Sequence, residues 1–90
     1  MARYLLTCPH TLEDCIPDID SILGHSKELL ARFDWGCKDG EHVGWVVVEA
    51  GNETTARSML PVAIRNKASV RLVNKFTPED IEQLHAEAKG

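Results

Sequence analysis

Four side chains of the kinds that bind soft metal ions lie in two short segments of the sequence. The segment TCPH contains Cys8 and His10, and the segment CKDGEH contains Cys37 and His42. Thiolate and neutral imidazole are ligands that zinc and nickel prefer, and each must be deprotonated to bind. Neither spacing is by itself a strong zinc signature. The hypothesis of a zinc or nickel site therefore depends on whether folding brings the two segments together.

The same side chains also have ordinary structural interpretations. A buried cysteine is more often a small core residue than a ligand, and a loop histidine beside acidic residues is usually solvated. Cys15 falls on the apolar side of a predicted helix and is expected in the core. The sequence leaves three classes of protein open: a metal-binding protein, an enzyme, and a purely structural or partner-binding dimer.

An enzyme would use the two loop histidines differently. One of them would act as a general base in an apolar pocket, and an arginine would hold an anionic group of a small-molecule ligand. The residues that this alternative requires are His10, His42, Trp35, Trp45, Arg3 and Arg71. The two arginines would otherwise form ion pairs with Glu49 at the rim of a dimer. The sequence shows no Gly-rich phosphate loop and no nucleophile elbow, which argues against nucleotide binding and hydrolase chemistry, and it identifies no catalytic residue.

The first half of the chain reads as a strand, a helix and a second strand. Residues 3–8 form the first strand, which Pro9 ends. Thr11 can cap a helix that runs to Gly24, although Pro17 requires either a kink or a later start near Ile16. The second strand is predicted from about Ala31, while residues 28–31 are equally compatible with a helical turn.

The second half contains the strongest strand and two capped helices. Asp39-Gly40 predicts a hairpin turn that leads into a strand over 43–50. Asn52 caps a helix that Pro61 shortens or kinks, and residues 68–73 form a fourth strand. Thr77, followed by a proline and two acidic residues, begins a terminal helix that runs to about residue 89.

This order of elements predicts an α+β domain with a ferredoxin-like βαββαβ arrangement and an added C-terminal helix. Its four-stranded antiparallel sheet has the order fourth, first, third, second, and the helices lie on one face. The end of the first strand then lies beside the turn between the second and third strands. That neighbourhood brings Cys8 and His10 close to Cys37 and His42, although strand alternation sends Cys8 to the helix face and Cys37 to the opposite face.

The face of the sheet without helices is predicted to be apolar. Pairing Cys37 with Val43 places four apolar side chains on this open face, namely Phe33, Trp35, Trp45 and Val47. An exposed patch of this kind exceeds what a soluble monomer normally tolerates. We therefore expect a homodimer that packs sheet against sheet; the alternative is a monomer whose terminal helix folds back over its own sheet.

Length, charge and cysteine content limit the other possibilities. Ninety residues make one domain, residues 1–90, and ten basic against fourteen acidic side chains give a net charge of −4. Without a basic stripe, nucleic acid is not an expected partner, and no apolar run is long enough to span a membrane. Three cysteines at irregular spacing and the lack of a recognisable secretory signal predict a cytoplasmic protein whose thiols stay reduced.

Three segments also carry a resemblance to a known group of proteins. FDWGC, the strand that contains GW, and KFTPE are similar to segments of a family of small bacterial and archaeal proteins of uncharacterised function, and the resemblance covers residues 3–85. That family lies in the superfamily of ferredoxin-like, dimeric α+β barrels. The superfamily includes muconolactone isomerase-like enzymes, cofactor-free monooxygenases, stress-responsive dimers and small nickel-binding proteins. The resemblance implies a fold and a dimer, but it does not choose among these activities.

Overall fold

A computed structural model describes residues 1–89 as an open four-stranded antiparallel sheet with five helices. The strands are β1 (Ala2–Pro9), β2 (Asp34–Trp35), β3 (Val43–Ala50) and β4 (Ser69–Val73). The helices are α1 (Cys15–His25), α2 (Lys27–Arg32), α3 (Glu53–Ser58), α4 (Val62–Arg65) and α5 (Pro78–Lys89), and a short 3-10 turn spans Cys37–Asp39. The predicted α+β class and the antiparallel sheet are confirmed.

The core lies between one face of the sheet and the helices. The strand order is β2-β3-β1-β4, and Leu6 of β1 is paired with Val46 on one side and Val70 on the other. These three residues are buried because they share the face that the helices cover. Ile22 of α1 and Ile64 of α4 complete the buried cluster from the helix side.

Helix α1 begins later than a cap at Thr11 would place it. The Thr11 hydroxyl accepts a hydrogen bond from the backbone N–H of Asp14 at 3.2 Å, which closes a turn before the helix. The helix itself begins at Cys15, so Pro17 is its third residue. A proline costs little in the first turn because the first N–H groups of a helix have no partner within it. The prediction ended the helix at Gly24, but the helix continues for one more residue, to His25.

The prediction of a second strand from about Ala31 was wrong for most of its length. Ser26 accepts a hydrogen bond from Leu29 N–H at 3.1 Å and caps α2, which continues to Arg32. The second strand is only two residues long, Asp34–Trp35. The residues of α2 are helix formers, whereas Phe33 and Trp35, which follow them, are strand formers. The serine cap and the burial of Leu29 favour the helix, in agreement with the helical turn that the sequence left open at 28–31.

The register of the second and third strands differs by one residue from the prediction. Trp35 is paired with Gly44, and Asp34 is paired with Trp45. The 3-10 turn and Gly40, whose φ is 86°, lengthen the connection by one residue. A slip of one residue moves every side chain of a strand to the other face.

This slip moves two of the four predicted interface residues away from the open face. Phe33 is 6% exposed and belongs to the core, and Trp35 packs against it with ring centroids 5.0 Å apart. Trp45 and Val47 remain on the face opposite the helices, where both are half-buried. The open face therefore keeps Trp45 and Val47 but does not include Phe33 and Trp35.

Gly44 makes room for the indole of Trp35, which gives a direct test of the register. A Cβ atom on Gly44 would lie 2.6 Å from Cζ3 of Trp35. We expect Gly44→Ala to lower the free energy of unfolding by about 1–3 kcal/mol because the indole must shift. Chemical denaturation measures the change. Gly24→Ala is the matched control: its Cβ would meet nothing within 4 Å, and alanine in a helix should stabilise by roughly 0.5–1 kcal/mol. Equal effects of the two substitutions would contradict the Trp35–Gly44 pairing.

The other helices begin and end largely as predicted. Asn52 caps α3 by accepting a hydrogen bond from Thr55 N–H at 2.8 Å, and Pro61 separates this helix from α4. Thr77 and Asp80 exchange side-chain-to-backbone hydrogen bonds at the start of α5. Among residues 1–89, no helix has the length and apolar character that crossing a membrane requires.

Candidate metal centre

The two histidines of the predicted site are neighbours because the pairing of β1 and β3 extends beyond the strands. The His10 backbone N–H donates to the His42 carbonyl at 3.0 Å, in register with the last strand pair, Pro9 with Val43. The two imidazole rings have centroids 5.7 Å apart. Alternation along the strands places both histidines on the side of the sheet that faces the helices.

The loop between β2 and β3 brings a thiol to the same place. Gly36 N–H donates to the Val43 carbonyl at 3.0 Å, and Glu41 N–H donates to the Gly36 carbonyl at 3.0 Å, so the loop folds back on its own start. Cys37 follows directly, and its Sγ lies 3.2 Å from His10 Nε2. The loop thus places the Cys37 thiol beside His10, a residue 27 positions away in sequence that follows the end of β1.

The fourth member of the group comes from the start of α1. Cys15 is the first residue of that helix, and its Sγ donates to Cys37 Sγ at 3.4 Å. His10, Cys15, Cys37 and His42 each offer one ligand atom, and all four ligand atoms lie within 4.8 Å of one another. All four residues are half-buried. We refer to these four residues as the Cys2His2 cluster.

The structure therefore brings together three of the four predicted ligands and replaces the fourth. Cys8 lies in the core, 4% exposed, and Cys15, which was expected in the core, takes its place in the cluster. Cys8 is paired with Gly44, one pair before the end of the β1–β3 ladder, whereas His10 lies two residues further along, beyond the end of β1. Burial raises the pKa of the Cys8 thiol to about 11; Asp18 adds to the rise and Lys67 opposes it. What separates Cys8 from Cys15, whose pKa is also raised, is that Cys8 lies outside the cluster.

Several polar groups of the cluster are suited to a cation. The Nδ1 atoms of His10 and His42 are buried and have no hydrogen-bond partner among residues 1–89. The hydrogen bond from Cys15 to Cys37 raises the pKa of the Cys15 thiol, and burial and the charges of Cys37 and Asp18 add to this rise. Buried polar atoms normally have partners, so unpartnered imidazole nitrogens require an explanation. A cation at the cluster would bind His10 through Nε2, which lies 3.2 Å from Cys37 Sγ, so of the two unpartnered nitrogens only His42 Nδ1 is available as a ligand atom.

The spacing of the ligand atoms fits a tetrahedral ion. Zinc binds thiolate at about 2.3 Å and imidazole at about 2.0 Å, which places ligand atoms of a tetrahedron roughly 3.3–3.8 Å apart. The separations in the structure are 3.2 Å between His10 Nε2 and Cys37 Sγ and 3.4 Å between the two sulfurs, with 4.8 Å as the upper limit for any pair. A separation at that limit would have to shorten by about 1 Å for tetrahedral zinc. Two thiolates and two imidazoles are also the ligands of many structural zinc sites.

An open hollow adjoins the cluster and gives solvent access to its sulfur atoms. This hollow has a volume of about 490 Å³ and contacts Cys15 and Cys37. Its remaining wall is formed by Ile16, Ile19, Phe33, Asp34, Trp35 and Lys38. An ion can therefore reach the ligand atoms without a rearrangement of the core.

The residues of the predicted enzyme pocket lie on two different faces of the sheet. Trp35 lies beside His10, with ring centroids 5.9 Å apart, but Trp45 is on the opposite face. Arg71 is paired with Leu5, and Arg3 with Val73, on the open face as well. Within residues 1–89, neither arginine forms an ion pair, so the predicted pairs with Glu49 are not observed. The arginines cannot hold a ligand against the two histidines.

Comparison with models of protein families, with curated proteins and with solved structures finds no match for this chain.

Proposed function

We propose that this protein binds one transition-metal ion per chain at the Cys2His2 cluster, with zinc as the preferred ion and nickel as the alternative. The observation that carries the proposal is the convergence of four ligand atoms within 4.8 Å from separate parts of the chain. Four protein ligands fill a tetrahedral shell and leave no open position, which is typical of structural zinc. The ion would hold together the end of β1, the start of α1 and the loop between β2 and β3.

The proposed ion also suggests the setting in which the protein works. Cys15 and Cys37 must both be reduced and deprotonated to serve as ligands. A reducing compartment such as the cytoplasm maintains thiols in this form. The three cysteines are free in the structure, and we propose a cytoplasmic location on this chemistry.

We propose in addition that the fold is ferredoxin-like and related to the dimeric α+β barrels. The support is the order of elements and the order of strands: read from the β4 edge, the sheet runs β4-β1-β3-β2. Helices α2 and α4 are short additions to the two crossovers. An experimental structure and its comparison with members of that superfamily would test this assignment.

Native mass spectrometry of protein without a histidine tag tests the metal proposal. The protein is treated with a chelator, dialysed, and titrated with zinc or nickel ions. We expect one ion per chain, with the loss of two protons for each ion bound because both thiols become thiolates. His25→Ala is the matched control, since His25 ends α1 outside the cluster and its loss should leave the stoichiometry unchanged. A wild-type chain that retains no ion would overturn the proposal.

The pH dependence of zinc affinity follows from the raised pKa of Cys15. Because this thiol is protonated in the metal-free chain at neutral pH, zinc must displace its proton. Apparent affinity should therefore rise with pH, by at least about tenfold per unit between pH 6 and 8, until the pH passes the thiol pKa. Competition with a chelator of known affinity measures the slope. A zinc affinity that stays constant over this range would show that Cys15 is not a ligand, and Cys15→Ser should reduce the slope.

A further inference from the structure

The C-terminal arm, residues 74–88, extends from the domain without being covered by it. Every residue of the arm is exposed, including Phe76, Ile81 and Leu84 at 70%, 41% and 47%. Ile81 and Leu84 are three residues apart and share one side of α5. An isolated helix of twelve residues is marginal in water, and most helices depend on packing of an apolar side. The arm therefore lacks the contact that would stabilise α5.

The size and surface of the chain indicate how large the missing contact is. A compact chain of 90 residues has a radius of gyration of about 12 Å, whereas the value here is 16.3 Å. A compact monomer of 10.0 kDa exposes about 5,200 Å², whereas this chain exposes 6265 Å². The excess of about 1,000 Å² is close to the roughly 800 Å² that each partner buries in a standard interface.

The open face of the sheet offers an apolar surface with a hollow, on which the apolar side of α5 can pack. Its centre consists of the half-buried apolar residues Leu5, Trp45 and Val47. A hollow of about 340 Å³ lies among them, with Arg32 and Asp34 at its edge. This volume accommodates one large apolar side chain of a helix.

Charge also favours the pairing of the arm with the open face. The polar side of α5 is acidic and carries Glu79, Asp80, Glu82 and Glu87. The open face carries Arg3 and Arg71, neither of which is ion-paired within residues 1–89, and Glu49 lies opposite Arg3 on the same face. Complementary charges of this kind orient two surfaces and disfavour other partners.

We propose that two copies of this protein exchange their C-terminal arms, with α5 of each copy lying on the open sheet face of the other. Each chain has both an arm and an open sheet face. In a pair with twofold symmetry, each arm therefore binds the sheet face of the other chain, and no free arm or face remains to recruit a third copy. Ile81 and Leu84 pack on the apolar centre with Trp45, and Asp80 and Glu87, which border this apolar side of the helix, lie nearest to the arginines. This inference rests on the exposed arm and does not depend on the metal.

Light scattering coupled to size-exclusion chromatography tests the exchange in the full-length protein. We expect the wild type to be a dimer at about 10 µM and the double variant Ile81→Glu/Leu84→Glu to dissociate at least roughly a hundredfold more readily. These side chains are exposed in the single chain, so the substitutions leave its core intact. Gln83→Glu, which adds a negative charge on the side of α5 that points away from Ile81 and Leu84, is the control and should remain a dimer.

A mixing experiment distinguishes arm exchange from other dimers. Arg71→Glu on the open face should also produce a monomer, because it repels the acidic helix. In a mixture, the arm variant supplies an intact sheet face and the Arg71→Glu variant supplies an intact arm, so mixed pairs should form through one arm. Native mass spectrometry resolves the two masses. The inference is overturned if the wild type is a monomer with Trp45 shielded from quenchers, which would place the arm on its own sheet, or if the double arm variant remains a dimer.

Discussion

Replacement of Cys37 by serine is expected to weaken zinc binding by at least about a hundredfold, more than is usual for the loss of a side chain that only hydrogen-bonds to a ligand. Cys37 is the central member of the cluster because its sulfur lies 3.2 Å from His10 Nε2 and 3.4 Å from Cys15 Sγ. In Cys37→Ser, only His10, Cys15 and His42 remain as ligands, and Cys15 is then the single thiolate. Competition titration against a chelator measures the loss, and the visible spectrum of the cobalt-substituted protein reports whether thiolate ligands remain.

Cys8 provides the matched control for this experiment. It is the same residue type in the same chain, but it lies in the core and outside the cluster. Cys8→Ala should therefore leave zinc affinity and cobalt spectrum unchanged, while costing some stability through the lost core volume. If Cys8→Ala and Cys37→Ser weaken zinc binding equally, the ligand set is wrong; if neither does, the ion binds elsewhere or not at all.

The sequence was sufficient to predict the neighbourhood of the cluster but not its full membership. Antiparallel pairing of β1 and β3 alone predicts that His10 and His42 approach each other. Cys8 was chosen because it lies two residues from His10 on the same face of the sheet, but the structure places it among the core residues, outside the cluster. Cys15 was missed because a helix beginning at Thr11 buries it, whereas the observed start makes it the first residue of α1. Pro17, which is best tolerated in a first turn, had already raised a later start near Ile16 as the alternative, and the observed start at Cys15 agrees with that alternative.

One residue of strand register explains the other error at the site. With Trp35 opposite Trp45, Cys37 would lie on the open face, away from the helices. With Trp35 opposite Gly44, as observed, Trp35 lies on the helix-facing side of the sheet. Cys37, two residues later, then lies on the same side, near Cys15 of α1. The register depends on how many residues the turn consumes, and Asp39-Gly40 predicts a turn without fixing its length. The absence of a side chain at Gly44 was the available clue, since only that position admits the indole.

The fold was easier to predict than the site because its elements have strong local signals. Asn52 and Thr77 cap α3 and α5 as expected, and β3 has the predicted bounds. For α2, the sequence left a helical turn open beside the strand. The six residues Lys27–Arg32 are all strong helix formers and follow the Ser26 cap, whereas the aromatic residues Phe33 and Trp35 after them had favoured the strand.

Saturation with zinc is expected to raise the midpoint of thermal unfolding by roughly 20 °C. His10 and Cys37 are 27 residues apart in sequence, so the complete site does not exist in the unfolded chain. Binding therefore adds to the free energy of unfolding, by about 4 kcal/mol when free zinc exceeds its dissociation constant a thousandfold. For a domain of this size each kcal/mol corresponds to about 4–8 °C. Circular dichroism of chelator-treated protein, with and without buffered free zinc, measures the shift.

The size of this effect also distinguishes a structural ion from an adventitious one. An ion bound to a few surface groups would raise the midpoint slightly and would do so equally in Cys37→Ser, whereas an ion in the cluster should stabilise Cys37→Ser much less than the wild type. The stabilised region should include the loop between β2 and β3, because that loop contributes Cys37 at its start and His42 at its end. Hydrogen exchange should therefore slow most at residues 36–42 when zinc is added. A large shift in midpoint that leaves exchange in this loop unchanged would place the ion somewhere other than the Cys2His2 cluster.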